Sequence, residues 1–202
     1  MSRIFRLDDE ENEKNPNDMR NAPDVVEKAL FNARVVMLTG EVNDGVARRV
    51  TERLFALAAD NAEPITFVIS SPGGHVESGD MIHDVIKFIN APVRMLGTGW
   101  VASAGALIYC AAPRENRYCL PNTRFLLHEP RGGIGGMASD VEIQAREVLR
   151  MRERLNRIFS EATGQPIDKI KRDTDRDYWM LAEEAKTYGL VGKIVKSAAE
   201  VR

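Results

Sequence analysis

Three histidines and a handful of serines and aspartates flanked by glycine hold most of the chemistry this chain could do. Ser103 lies in Gly97-Thr-Gly-Trp-Val-Ala-Ser-Ala-Gly-Ala106, between a strand-like run and an apolar, small-residue segment. Small neighbours allow a sharp turn and close approach of a carbonyl. A helix starting there leaves free N–H groups beside the hydroxyl, which can hold an oxyanion. The spacing is not G-x-S-x-G, and a small-residue helix packed tightly in a core fits the segment equally well. His128 follows Arg124-Phe-Leu-Leu127 and precedes Glu129-Pro130 and the run Arg131-Gly-Gly-Ile-Gly-Gly136. An imidazole at a strand end beside flexible backbone suits a general base, although in isolation a structural histidine is the plainer reading. His75, after two glycines, either lines a cleft or caps a turn, and His83 is expected on a helix surface. The carboxylate that would orient a catalytic histidine is available from Asp173, Asp175 or Asp177, each of which also reads as a surface charge. Ser71-Pro-Gly-Gly74 supplies a second set of backbone donors. No Gly-Lys-Ser/Thr follows, so it is not a phosphate loop. Glu183 and Glu184 lack histidines at metal-ligand spacing, and no metal site is expected.

The elements that must position these residues alternate. Arg34–Thr39, Ile65–Ile69, Val93–Leu96 and Arg124–Leu127 read as buried strands. Between them, Val46, Val50, Leu54 and Leu57 recur at helical spacing after Asp44, the expected cap. Ile82, Val85, Ile86 and Ile89 do the same after the glycine pair, and Val101–Ala112 reads as a buried helix. Strands alternating with helices predict an α/β fold with mostly parallel pairing. The longest helix is expected over about 139–163, with Ser139 and Glu142 at capping-box spacing and Gly164 as its stop. Ala145, Val148, Met151, Leu155, Ile158 and Ala162 form its apolar stripe. It is long for a small domain, so either a solvated back or a second subunit could cover part of it.

At 202 residues, 44% hydrophobic and 29% charged, the chain suits one globular domain with an extension. A net charge of −2 gives no electrostatic case for nucleic acid or an anionic membrane as main partner. No apolar run approaches a spanning helix, and the N-terminus lacks a signal-peptide core. Two cysteines, Cys110 and Cys119, are too few for a disulfide framework, so a reducing cytoplasm is expected. Residues 1–22 are acidic and poor in large apolar side chains, and read as a solvated tail or arm ahead of a folded domain over 23–202.

Taken together, the segments resemble the proteolytic subunit of the ATP-dependent Clp protease. The matching blocks, in order, are Ile69-Ser-Ser-Pro-Gly-Gly74, Ala102-Ser-Ala-Gly-Ala106, Tyr118-Cys-Leu-Pro-Asn122, Leu127-His-Glu-Pro-Arg-Gly-Gly133, Asp140-Val-Glu-Ile-Gln-Ala-Arg-Glu147, Asp173-Thr-Asp-Arg-Asp177 and Ala182-Glu-Glu-Ala-Lys-Thr-Tyr-Gly-Leu190. The resemblance implies the crotonase-like spiral of βαβ units with a protruding handle, the long helix. It implies a serine endopeptidase with Ser103 as nucleophile, His128 as general base and Asp177 as orienting carboxylate. The oxyanion donors would be the amides of Gly74 and Ala104. His75, Val76, Arg131, Gly132 and Gly133 would flank an extended peptide paired to the glycine-rich strand. Asp175 and Arg176 match the family's inter-ring charged pair. The implied partners are peptides and unfolded proteins, further copies of the chain in two stacked seven-membered rings, and an AAA+ Clp ATPase; no cofactor is implied.

Four departures from the family pattern bear on these expectations. Ala104 stands where methionine usually follows the nucleophile, Glu129 replaces a common glutamine, and Arg131 stands where an apolar residue is common. Val68 replaces a tyrosine of the pocket that receives ATPase loops, although Tyr118 keeps an aromatic at another pocket position. With an unrecognisable N-terminal arm, this predicts altered or absent docking of the ATPase. The rival readings are a Ser-Lys peptidase, which lacks its lysine here, a crotonase-like acyl-CoA enzyme, which would not need all three triad residues, and a catalytically silent ring subunit.

Overall fold

The computed structural model describes residues 22–131 and 135–201. The acidic segment 1–21, Gly132 and Gly133 lie outside the described residues. The chain divides into two units, Met1–Ala33 and Arg34–Arg202. Within the first, the described element is helix α1 (Ala22–Asn32).

The second unit alternates strand and helix as its hydrophobic pattern demands. β1 (Val35–Thr39) leads to α2 (Asp44–Asp60), β2 (Ile65–Ser71), α3 (Val76–Phe88), β3 (Val93–Ala102) and α4 (Ala104–Tyr109). Every second residue of β2 is buried and the rest are half-covered. A strand packed on both faces has this pattern, and the helical crossovers of parallel sheets supply that cover. β4 (Arg117–Cys119), β5 (Arg124–Leu127), α5 (Ala138–Thr163), α6 (Ile167–Thr174), β6 (Tyr178–Leu181), α7 (Ala182–Tyr188) and β7 (Lys193–Ile194) complete the unit. Among the described residues the strands form one sheet in the order β1-β2-β3-β4-β7. β3 is long enough to serve two neighbours. Met95–Gly97 pair with β4, and Trp100–Ala102 pair with β5, both in parallel. β6 then adds to β5 antiparallel, with Leu127 opposite Tyr178. The expected third strand is therefore longer than Val93–Leu96, and the buried helix shorter than Val101–Ala112.

The core lies between this sheet and its helices. Phe67, Phe125, Tyr109, Leu54, Ile82 and Met95 are fully buried. Tyr109 packs at a tilt against Phe125 with ring centroids 5.3 Å apart, and its hydroxyl donates to the Tyr118 carbonyl at 2.9 Å, so a buried phenol is satisfied. Arg117 is also fully buried, and its Nη2 donates to the Ala162 carbonyl in the last turn of α5, where a cation offsets the helix dipole.

Three local expectations are corrected. Asn43, rather than Asp44, caps α2: its side chain accepts from the Val46 N–H at 3.0 Å, and Asp44 is the first helical residue. Ser139 and Glu142 do not form a capping box, because α5 starts a residue earlier with Met137 at the cap position and no side-chain cap bond. His83 is buried, since α3 packs between α2 and α4 and turns it inward; its Nδ1 lies 2.9 Å from Asp84 Oδ1. Gly164 does end α5, at φ 74.

The 26 residues of α5 span about 39 Å. Its C-terminal half carries the buried Leu155, Asn156, Phe159 and Thr163, with Met151, Ile158 and Ala162 half-covered on the core. The other half leaves Val141, Ile143 and Leu149 exposed.

Candidate active site

Ser103 occupies the single residue between β3 and α4, at φ 54 and ψ −122. That region suits glycine, and a side chain there costs about 1–3 kcal/mol. The surrounding bonds fix it. The Ser103 N–H donates to the Leu126 carbonyl at 3.0 Å, continuing the β3–β5 ladder. Its carbonyl accepts from Ala106 and Leu107 at 2.9 and 3.1 Å, the first bonds of α4. The amides of Ala104 and Gly105 precede those bonds and have no intrahelical acceptor.

The second amide-rich turn packs directly on this serine. A Cβ on Gly73 would lie 2.5 Å from Ser103 Cβ and 2.9 Å from the Ala102 carbonyl, so only glycine fits. Gly73 and Gly74 both hold positive φ, 98 and 142. Val42 bridges across this turn, donating to the Gly73 carbonyl at 2.8 Å and accepting from the His75 N–H at 2.9 Å. The Gly74 N–H is not used by that bridge.

Ser103 and His128 line one narrow cavity of about 10 Å³, together with Val76, Ala104, Leu107, Pro130, Leu155 and Phe159. Of these, Leu107, Pro130, Leu155 and Phe159 were not expected at the site from sequence. The last two sat in the apolar stripe and the helix of α5, which places the middle of that helix against the site. His75 is directed elsewhere: its Nδ1 lies 2.7 Å from Ser78 Oγ and 3.2 Å from Asp44 Oδ1, with half the ring exposed.

The end of β5 brings the third group close. Leu127 and Tyr178 are the last register pair of β5 and β6, so His128 and Asp177 each follow or precede that pair by one residue. The Glu129 N–H donates to the Thr174 carbonyl at 2.8 Å and holds the segments together. The Asp177 side chain, however, is not on the imidazole. Its Oδ1 accepts from Arg131 Nη2, while His128 Nδ1 is buried with no hydrogen-bond partner. Burial, then the Arg131 charge, hold His128 below the usual histidine pKa of 6.5, against a smaller upward pull from Asp177 and from Glu129. Nearby charges neutralise one another: Arg152 lies 2.9 Å from Glu129 and 3.4 Å from Asp175. Asp175 thus has a partner within its own subunit, and Arg176 is exposed. Among the described residues no group of three or more His, Cys, Asp or Glu could hold a metal ion, and no helix is long and apolar enough to cross a membrane.

The fold that carries these residues has known counterparts. Residues 18–198 match the description of the Clp protease family, and the chain belongs to that family. It is 63% identical over 175 residues to the ATP-dependent Clp protease proteolytic subunit 3 of Rhizobium meliloti, covering 87% of this chain and 90% of that one. Subunit 2 of Gluconobacter oxydans is 55% identical over 206 residues, covering 98% and 92%. Among solved structures, ClpP1 from Listeria monocytogenes superposes with a TM-score of 0.80 at 46% identity, covering 88% of this chain and 99% of that one. A mutant of the same protein gives 0.83 at 47% identity.

Proposed function

We propose that this chain is a serine-type endopeptidase acting by acyl transfer. The observation that supports it most is the strained, amide-flanked Ser103 sharing one cavity with His128. In this reading Ser103 attacks a peptide carbonyl while His128 accepts its proton. The Gly74 and Ala104 amides bind the oxyanion, and Asp177 orients the imidazole and stabilises its charge. Water then releases the acyl group with the roles reversed. No metal or organic cofactor is called for. Val76 and the Arg131-Gly132-Gly133 stretch would flank an extended peptide, and His75 would stand at the rim.

The working form we propose is a closed homo-oligomer of two stacked heptameric rings in the cytoplasm, with α5 as handle and Asp175 and Arg176 at the ring contact. The exposed Val141, Ile143 and Leu149 support it, because an unpaired apolar helix face invites a covering subunit. Its substrates would be peptides and unfolded proteins delivered by an AAA+ Clp ATPase whose docking is altered at Val68. Residues 1–22 would act as a separate arm to the peptidase domain of 23–202.

Treatment with a fluorophosphonate, followed by intact-mass analysis, tests the chemistry. One adduct per chain is expected, lost in Ser103→Ala. Equal labelling or equal peptidase activity in that variant would refute the assignment.

A further inference from the structure

Two groups that a Ser-His-Asp mechanism needs in contact stand apart here, although the backbone brings them together. His128 Nδ1 is buried and unpartnered. Asp177, one position beyond the last β5–β6 register pair, gives its carboxylate to Arg131. The two residues follow directly on the last register pair of neighbouring strands, which keeps the carboxylate close to the imidazole. We propose that Arg131 is a positioning residue that competes with His128 for Asp177, and so sets the fraction of subunits whose triad is aligned. This rests on the serine-peptidase reading above.

The pair that holds Asp177 away from the imidazole is weak enough to be displaced. Arg131 and Asp177 have side chains 64% and 41% exposed, and an ion pair so wet is weak and screened by salt. The bond Asp177 would make to a half-buried imidazole satisfies a donor that otherwise has no partner, which is the costlier defect. The other charged groups facing the site, Glu129, Arg152 and Asp175, are tied to one another. Arg131 is therefore the cation in direct competition for this carboxylate. The positive charge of the arginine also depresses the histidine pKa, so its removal has a signature in pH as well as in rate.

The test compares wild type, Arg131→Leu and Arg131→Lys as full chains. An uncharged fluorogenic peptide is used between about pH 5 and 9 and at low and high salt, with fluorophosphonate labelling in parallel. Arg131→Leu is expected to raise kcat by roughly 2- to 5-fold, whatever its effect on KM through the peptide groove it borders. Its acid limb should move to higher pH, because a carboxylate now faces the imidazole and the base must be neutral to act. Wild type should be activated by salt and Arg131→Leu should not. Arg131→Lys keeps a cation and should retain both the wild-type acid limb and the activation by salt. If wild type labels at Ser103 but Arg131→Leu has unchanged or lower kcat and an unmoved acid limb, the competition is refuted. If no variant labels at Ser103, the peptidase reading itself falls, and this proposal with it.

Discussion

The backbone of Ser103 sets stability against chemistry at one residue. At φ 54 and ψ −122 a glycine is relaxed and a serine is not. Ser103→Gly should therefore raise the unfolding free energy by about 1 kcal/mol, visible as a higher Tm, while abolishing peptide cleavage. Ser103→Ala should abolish cleavage without that gain, because alanine keeps the same strain. Equal Tm values for the two variants would count against a strained serine. Gly73 offers the complementary experiment. A methyl group there collides with Ser103 Cβ and the Ala102 carbonyl, so Gly73→Ala should lose at least ten-fold in kcat/KM, about 1.4 kcal/mol, with the far-UV circular dichroism unchanged. Full activity in Gly73→Ala would mean that the serine can shift freely. The pairing of Arg131 with Asp177 was not legible in the sequence, where 46 positions separate them; only the β5–β6 register makes them neighbours.

Among the elements, those with strong apolar periodicity were legible and the short ones were not. β1, β2, α2 and α3 follow their hydrophobic repeats to within a residue or two. β4 and β7 have three and two residues, too short to carry a period, and β6 lies behind a run of charge. The cap of α2 was misread by one residue because Asn43 and Asp44 are both good acceptors, and only backbone geometry chooses. His83 was misread because its own helix is amphipathic in both directions, with α2 and α4 on either side. For the candidate site, the family blocks named the residues but not which of them touch, since side-chain pairing depends on long-range registry. The two halves of α5 respond differently to truncation. Phe159→Ala removes a fully packed ring and should cost about 3–5 kcal/mol in urea unfolding. Leu149→Glu, on the exposed half, should leave the subunit's own fold intact and instead shift light scattering towards smaller species. An unchanged assembly in Leu149→Glu would remove α5 from the subunit contact.

At the scale of the whole molecule, the register across β1, β2, β3 and β4 aligns Met37, Val68, Leu96 and Tyr118 in one row. Tyr118 is buried and Val68 half-covered, while Phe55 and Phe88 meet edge-on at 6.2 Å on the exterior. If Val68 stands in the ATPase-docking pocket, as proposed above, the absence of an aromatic ring there withdraws contact area worth ~2 kcal/mol or more. Val68→Tyr should therefore increase ATP-dependent degradation of a folded, tagged substrate by the host's Clp ATPases, with cleavage of a short peptide unaltered. Robust degradation by the wild-type chain, unimproved in Val68→Tyr, would show that docking does not depend on this position. The branch at β3 also has a consequence for how the protein is made. Ser103 and His128 leave the ribosome well before β6, and about fifty residues must still be added before Asp177 appears, roughly 2–10 s of synthesis. Until then the outer edge of β5 is unpaired and Asp177 is absent from the side of the imidazole. In the serine-peptidase reading proposed above, a nascent subunit would therefore lack its orienting carboxylate until Asp177 and β6 have been added.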